Sequence, residues 1–147
     1  MRCVRADGTF TWQKQGSRHA AFFALHDLTH FAVETVLGFR RGFFGLIAEG
    51  WEIDETTGKE ARGPLPNEAR EVEYIVGALD SERASGAVWT AEDFNRQAVL
   101  QAGSAGQSQP RRLTDEELAR VRARRAELFG EWRATEPGKM LELRHRF

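Results

Sequence analysis

The sequence predicts an α+β fold, mostly helical, with one small antiparallel sheet formed by an N-terminal hairpin and a C-terminal strand. Three observations carry this expectation. Apolar residues recur at helical spacing through most of the chain, strict alternation is confined to the two ends, and capping or turn residues punctuate the stretches between. The 147 residues suffice for one core, so 1–147 reads as a single globular domain. A chain of this size buries about 70% of the surface its unfolded form exposes and needs neither disulfide nor metal to fold.

At the N-terminus, RCVRADGTFTWQK (residues 2–14) alternates around Asp7-Gly8, a pair suited to the positive φ values of a type I′ hairpin turn. A two-residue loop there pairs Ala6 with Thr9 and puts Phe10 and Trp12 on one face. At the other end, KMLELRHRF (139–147) alternates again, with Leu141, Leu143, His145 and Phe147 sharing a side. These two ends are expected to pair as one sheet.

The middle is helical. HFAVETVLG and GFFGLIAEG end at Gly38 and Gly50, each suited to the left-handed position that terminates a helix. Asn67 is placed to cap a helix in which Val72, Ile75, Val76 and Leu79 form the apolar stripe. Thr90 with Asp93 resembles a capping box with the shorter acid. Thr114 with Glu117 completes one, opening a helix with Leu118, Val121, Leu128, Phe129 and Trp132. Residues 54–66 and 101–110 read as loops.

Composition excludes several classes of function. The formal net charge of −1 gives no global field to recruit nucleic acid or anionic lipid. The longest apolar run, AAFFAL at 20–25, is too short for a bilayer, and MRCVRADGTF lacks the apolar core of a signal peptide. Cys3 is the one cysteine, which rules out an internal disulfide and fits a reducing, cytoplasmic compartment. The six arginines of RRLTDEELARVRARR, four of them following Asp115, Glu116 and Glu117, read as a salt-bridged solvent face rather than a nucleic-acid surface. The acidic stretch 49–82, set against this basic helix, suits a homo-oligomer. The glycines of GFRRGFFG lack the Lys-Ser/Thr of a phosphate loop and are read as points of close approach. Phe22, Phe31 and Trp51 are candidates for an aromatic pocket.

Chemistry concentrates in HDLTHFAVE, residues 26–34. On a helix His26 and His30 share a face, as do His30 and Glu34. The first five residues resemble the HExxH signature of zinc metalloproteases, with Asp27 where that family carries its glutamate base. The resemblance covers five residues and implies a ligand pair, His26 and His30, but not the peptidase activity, since Asp27 is one methylene shorter. The His26-Asp27 doublet is also similar to that of the HD phosphohydrolases, although no other histidines fall at the spacings that fold uses.

The candidate metal ligands are therefore His26, His30 and Glu34, for one divalent ion such as zinc, manganese or nickel. Asp27 or Glu34 would take a proton from bound water in a metal-dependent hydrolase. From His26 to Glu34 is about 12 Å along a helix axis, so a third ligand is expected from elsewhere: His19, Asp54 or His145. Glu34 would then fix the tautomer of His30.

The alternative is a non-enzymatic protein that binds itself or a partner, in which the cluster only orders the structure. It gains support from Phe23, which would fall among Asp27, His30 and Glu34 on the polar side of a helix begun at Ser17. A helix begun near Asp27 avoids this, makes Asp27 an N-cap and leaves His26 outside.

Overall fold

The computed structural model describes residues 1–14, 16, 20–57, 62–103 and 109–145. Strands β1 (Arg2–Val4) and β2 (Phe10–Trp12) precede α1 (Ala20–Leu37), α2 (Phe43–Ala48) and a 3-10 helix (Asp54–Thr57). Then come α3 (Asn67–Ser85), α4 (Ala91–Ala102) and α5 (Asp115–Ala134). Helix α1 is central: it packs on α5, α3 and α2, while α4 closes on α3. The main core joins Val33 of α1 to Val72, Ile75, Val76 and Leu79 of α3, Phe94 of α4, and Leu118 and Val121 of α5. No described helix is long and apolar enough to cross a membrane.

The mostly helical architecture and the N-terminal hairpin agree with expectation, but the hairpin register does not. Cys3 pairs with Thr11 and Val4 with Phe10, one residue away from an Ala6–Thr9 pairing. The loop has three residues. Gly8 N–H donates to the Arg5 carbonyl and Arg5 N–H to the Thr9 carbonyl, and Gly8 alone in the loop has positive φ, 86°. Asp7 keeps a negative φ because its Oδ1 accepts from both the backbone N–H and the hydroxyl of Thr9. A type I′ turn needs both central residues at positive φ, whereas a type I turn closed by a glycine bulge needs one. Phe10 and Trp12 do share a face, but it is the exposed one; Thr11 is buried. Arg5 anchors the hairpin, donating to the carbonyls of Ile47 and Trp51, each at 2.7 Å.

The expected C-terminal strand is absent from the described residues, where β1 and β2 form the only sheet. The alternation in 139–145 has a different cause. Leu141 and Leu143 lean on a cluster of Leu28, Phe31 and Ala32 from α1 with Leu128 and Phe129 from α5. The groove between two helices satisfies a two-residue apolar repeat as well as a sheet does. Phe147 lies outside the described residues.

Helix α1 begins at Ala20, so Asp27 is not its cap and Phe22 and Phe23 are helical, against expectation. The misfit assumed that the polar side of α1 meets water. That side is instead one wall of a cleft, where Phe23 packs in line with Asp27 and His30. Asn67 is the first residue of α3 rather than its cap, a place taken by Pro66 with no side-chain hydrogen bond. The cap at Thr90 and the capping box of Thr114 with Glu117 form as expected. Acid and base from α3 and α5 meet within the chain: buried Glu82 pairs with Arg122 and Arg125 and accepts the Trp89 N–H at 2.9 Å.

Deleting residues 139–147 uncovers the Leu28–Phe31–Leu128 cluster and removes the His145 ring from Phe31 and Phe44. Two half-buried leucines correspond to about 2 kcal/mol, so thermal unfolding should fall by about 4–8 °C. An unchanged melting curve would show that the segment does not hold the helices together.

Candidate metal centre

The four-residue spacing in α1 puts the rings of His26 and His30 edge to face, centroids 4.8 Å apart. Helix α3 runs antiparallel beside α1 and offers each ring a carboxylate. His26 Nδ1 lies 2.8 Å from Asp80 Oδ2, and His30 Nε2 lies 3.4 Å from Glu73 Oε1. Seven residues separate Glu73 from Asp80, two helical turns, which places both on the side of α3 that meets α1. Ligand atoms of His26, His30 and Glu73 all lie within 4.8 Å of one another.

Glu34 lies on the opposite side of His30. Its Oε1 is 3.5 Å from His30 Nδ1, and its Oε2 accepts the N–H groups of Phe44 at 3.0 Å and Gly45 at 3.4 Å. The carboxylate fills the space that Gly42 leaves, where an added Cβ would stand 2.7 Å from Oε2. This is the close approach expected of the glycine-rich stretch. The C-terminal segment brings His145 Nε2 to 3.9 Å from Glu34 Oε2, behind Glu34 rather than beside Glu73. Asp54 stands on the 3-10 helix and lines a neighbouring groove with Phe10 and Trp12. His19 lies outside the described residues.

The three ligand atoms open into a cleft of about 450 Å³, lined by His26, Asp27, His30 and Glu73 with Gln13, Phe23, Phe43, Ile53, Thr56 and Leu65. Phe22, Phe31 and Trp51 do not form one pocket. Phe22 is exposed, Phe31 packs against Phe44 and His145, and Trp51 belongs to a cluster with Leu46 and Ala69.

Burial and charge set the protonation states. Burial opposes a charge on His30, but Glu34 and Glu73 outweigh it and push the imidazole up to about 10. Burial opposes the charge on Glu73 as well, and His30 holds that carboxylate below its usual range. Asp27 is raised by burial, with His30 and His26 partly offsetting the effect. His145 is lowered by burial, against the pull of Glu34. Without an ion, His30 is thus an imidazolium between two carboxylates. At 3.5 Å its Nδ1 and Glu34 Oε1 are an ion pair but not a hydrogen bond, and both are buried.

Of the residues expected from sequence, His26, His30 and Asp27 come together at the cleft and Glu34 supports His30 from behind. Glu73 and Asp80 were missed. The available signal was two acids seven residues apart beside an apolar stripe, and nothing local assigned that face to α1. Comparison of the chain with protein-family models, with curated proteins and with solved structures gives no match.

Two predictions follow from Glu34 and His30. A raised folded-state pKa stabilises fully below the unfolded value near 6.5 and ceases to do so as pH rises through about 10. In chelator, the melting temperature should therefore fall between pH 7 and 10, and His30→Gln should flatten that fall. A slope identical in both proteins would assign it elsewhere. Gly42→Ala forces the Glu34 carboxylate from its seat and should cost about 1–3 kcal/mol in urea unfolding, whereas Gly16→Ala, with nothing within 4 Å, should cost far less.

Proposed function

We propose that the chain is a divalent-metal-dependent hydrolase whose ion is held by His26, His30 and Glu73. The observation that carries this reading is the convergence of two imidazoles and one carboxylate on the wall of one cleft. Each imidazole has a second carboxylate at its other nitrogen. Three N/O ligands leave coordination positions for water, the pattern of a catalytic rather than a structural zinc site. Asp80 on His26 Nδ1 and Glu34 on His30 Nδ1 leave Nε2 of both rings for the ion and make them better donors. Ligand atoms around a tetrahedral zinc stand about 3.3 Å apart, so the site must contract from its 4.8 Å span. Glu73, with its side chain 44% exposed, is the group best able to swing inward.

The ion would lower the pKa of its bound water. Asp27 lines the same cleft, and burial raises its carboxyl toward the range useful in a base. Asp27 is accordingly the proton acceptor in this reading and Glu34 a positioning residue. Zinc, manganese and nickel all suit the donor set.

The second reading, a non-enzymatic self-associating or partner-binding protein, is favoured by the His30 ion pairs, which balance charge with no ion present. The exposed hairpin face of Val4, Phe10 and Trp12 is where such a partner would bind.

Calorimetry separates them. Untagged protein freed of metal should bind one equivalent of zinc at pH 7 and release a proton from His30, visible as a binding enthalpy that varies with the buffer. His30→Ala should abolish binding, and Asp80→Asn should weaken it about 10- to 100-fold. Wild-type protein that binds none of the three metals would overturn the first reading.

A further inference from the structure

The cleft has a chemical character beyond its metal end, and from it we infer the substrate class: an uncharged carboxamide or ester with an apolar body. The inference rests on the metal-dependent hydrolase reading. The volume of about 450 Å³ suits a small molecule. Phe23, Phe43, Ile53 and Leu65 supply apolar wall, and Gln13 and Thr56 supply uncharged polar groups. Among the described lining residues the charged side chains other than the histidines are Asp27 and Glu73, both acids, and none is lysine or arginine.

That lining discriminates by charge. Phosphoryl transfer relies on arginine or lysine clamps or on a second ion to hold the anionic group. Here the described lining brings two acids, Asp27 and Glu73, and no basic clamp to the cleft, so an incoming phosphate finds none of the cations that hold it elsewhere. A neutral acyl group needs no such clamp and only one Lewis acid, and can lay its apolar body on Phe23 and Phe43.

The chemistry balances with water alone. With an ion held by His26, His30 and Glu73 to acidify water, Asp27 would take a proton from that water as the water oxygen bonds to the carbonyl carbon, the carbonyl electron pair moving onto the carbonyl oxygen. When that pair returns, the bond from carbon to the leaving nitrogen or oxygen breaks. The leaving atom takes the proton from Asp27, giving a carboxylic acid and an amine or alcohol.

The test uses the full, zinc-loaded chain with three chromogenic probes: 4-nitroacetanilide, 4-nitrophenyl butyrate and 4-nitrophenyl phosphate. Binding of benzamide and of phenyl phosphate is compared by calorimetry. The expected result is kcat/KM for at least one acyl probe 10-fold or more above the phosphate, with benzamide bound more tightly than phenyl phosphate. Asp27→Asn, which removes no proposed ligand, should keep its zinc and lose at least 100-fold in acyl turnover. Zinc binding with phosphate turned over as fast, with phenyl phosphate bound more tightly, or with acyl hydrolysis no faster than in Asp27→Asn would overturn the substrate class and leave the metal centre standing. Failure to bind zinc would overturn both.

Discussion

A carboxylate with no access to water governs this fold. Glu34 is 1% exposed, and such a charge is tolerated only where donors and opposite charge surround it. The chain meets that demand from two directions: backbone N–H groups at the start of α2 and the His30 ring one helical turn away. Gly42 is the condition for both, because any side chain there would occupy the space of the carboxylate. Satisfying Glu34 fixes how α2 leaves α1, and with it where Phe43 and Phe44 lie. Phe43 then becomes cleft wall and Phe44 packs against Phe31.

The cleft takes its precision from α1 and α3, two long helices that pack directly on each other. Their antiparallel course brings Asp80 to His26 and Glu73 to His30, so one helix supplies imidazoles and the other carboxylates. Side chains on packed helices hold their positions better than side chains on loops. The same geometry sets a competition. Glu34 and Glu73 stabilise a proton on His30, and the proposed ion on Nε2 would have to displace it. In the proposed site Glu34, which helps His30 hold its proton, would also make it the stronger donor, and Glu73 would turn from the partner of that proton into a ligand of the ion.

The ends of the chain serve this centre without forming a sheet with each other. Arg5, with its side chain 8% exposed, binds the hairpin to the carbonyls of Ile47 in α2 and of Trp51 just beyond it, and Thr11 accepts the Ile53 N–H at 3.3 Å. The hairpin thereby brings Gln13 to the rim of the cleft. The opposite end lies between α1 and α5, covers an apolar cluster and delivers His145. The two ends are held by different partners, which leaves their alternating patterns independent.

The sequence by itself determined the helices and most of their ends, because apolar spacing, the Thr114–Glu117 capping box and the glycines at 38 and 50 act over one or two turns. It also determined that His26, His30 and Glu34 share a helix face if that helix is continuous. Tertiary structure decided the rest. Phe23 argued for a late helix start only on the assumption that its neighbours face water, and the packing of Phe43 and Ile53 opposite removed that assumption. The C-terminal alternation meant burial on one side, and only the groove between α1 and α5 decided that helices, not strands, receive it. Glu73 and Asp80 became partners of the histidines through the antiparallel packing of α3 on α1, a contact between residues more than forty apart. Local sequence carries the energies of turns and caps, but a site assembled from two helices depends on which faces meet, and that is settled by the burial of the whole core.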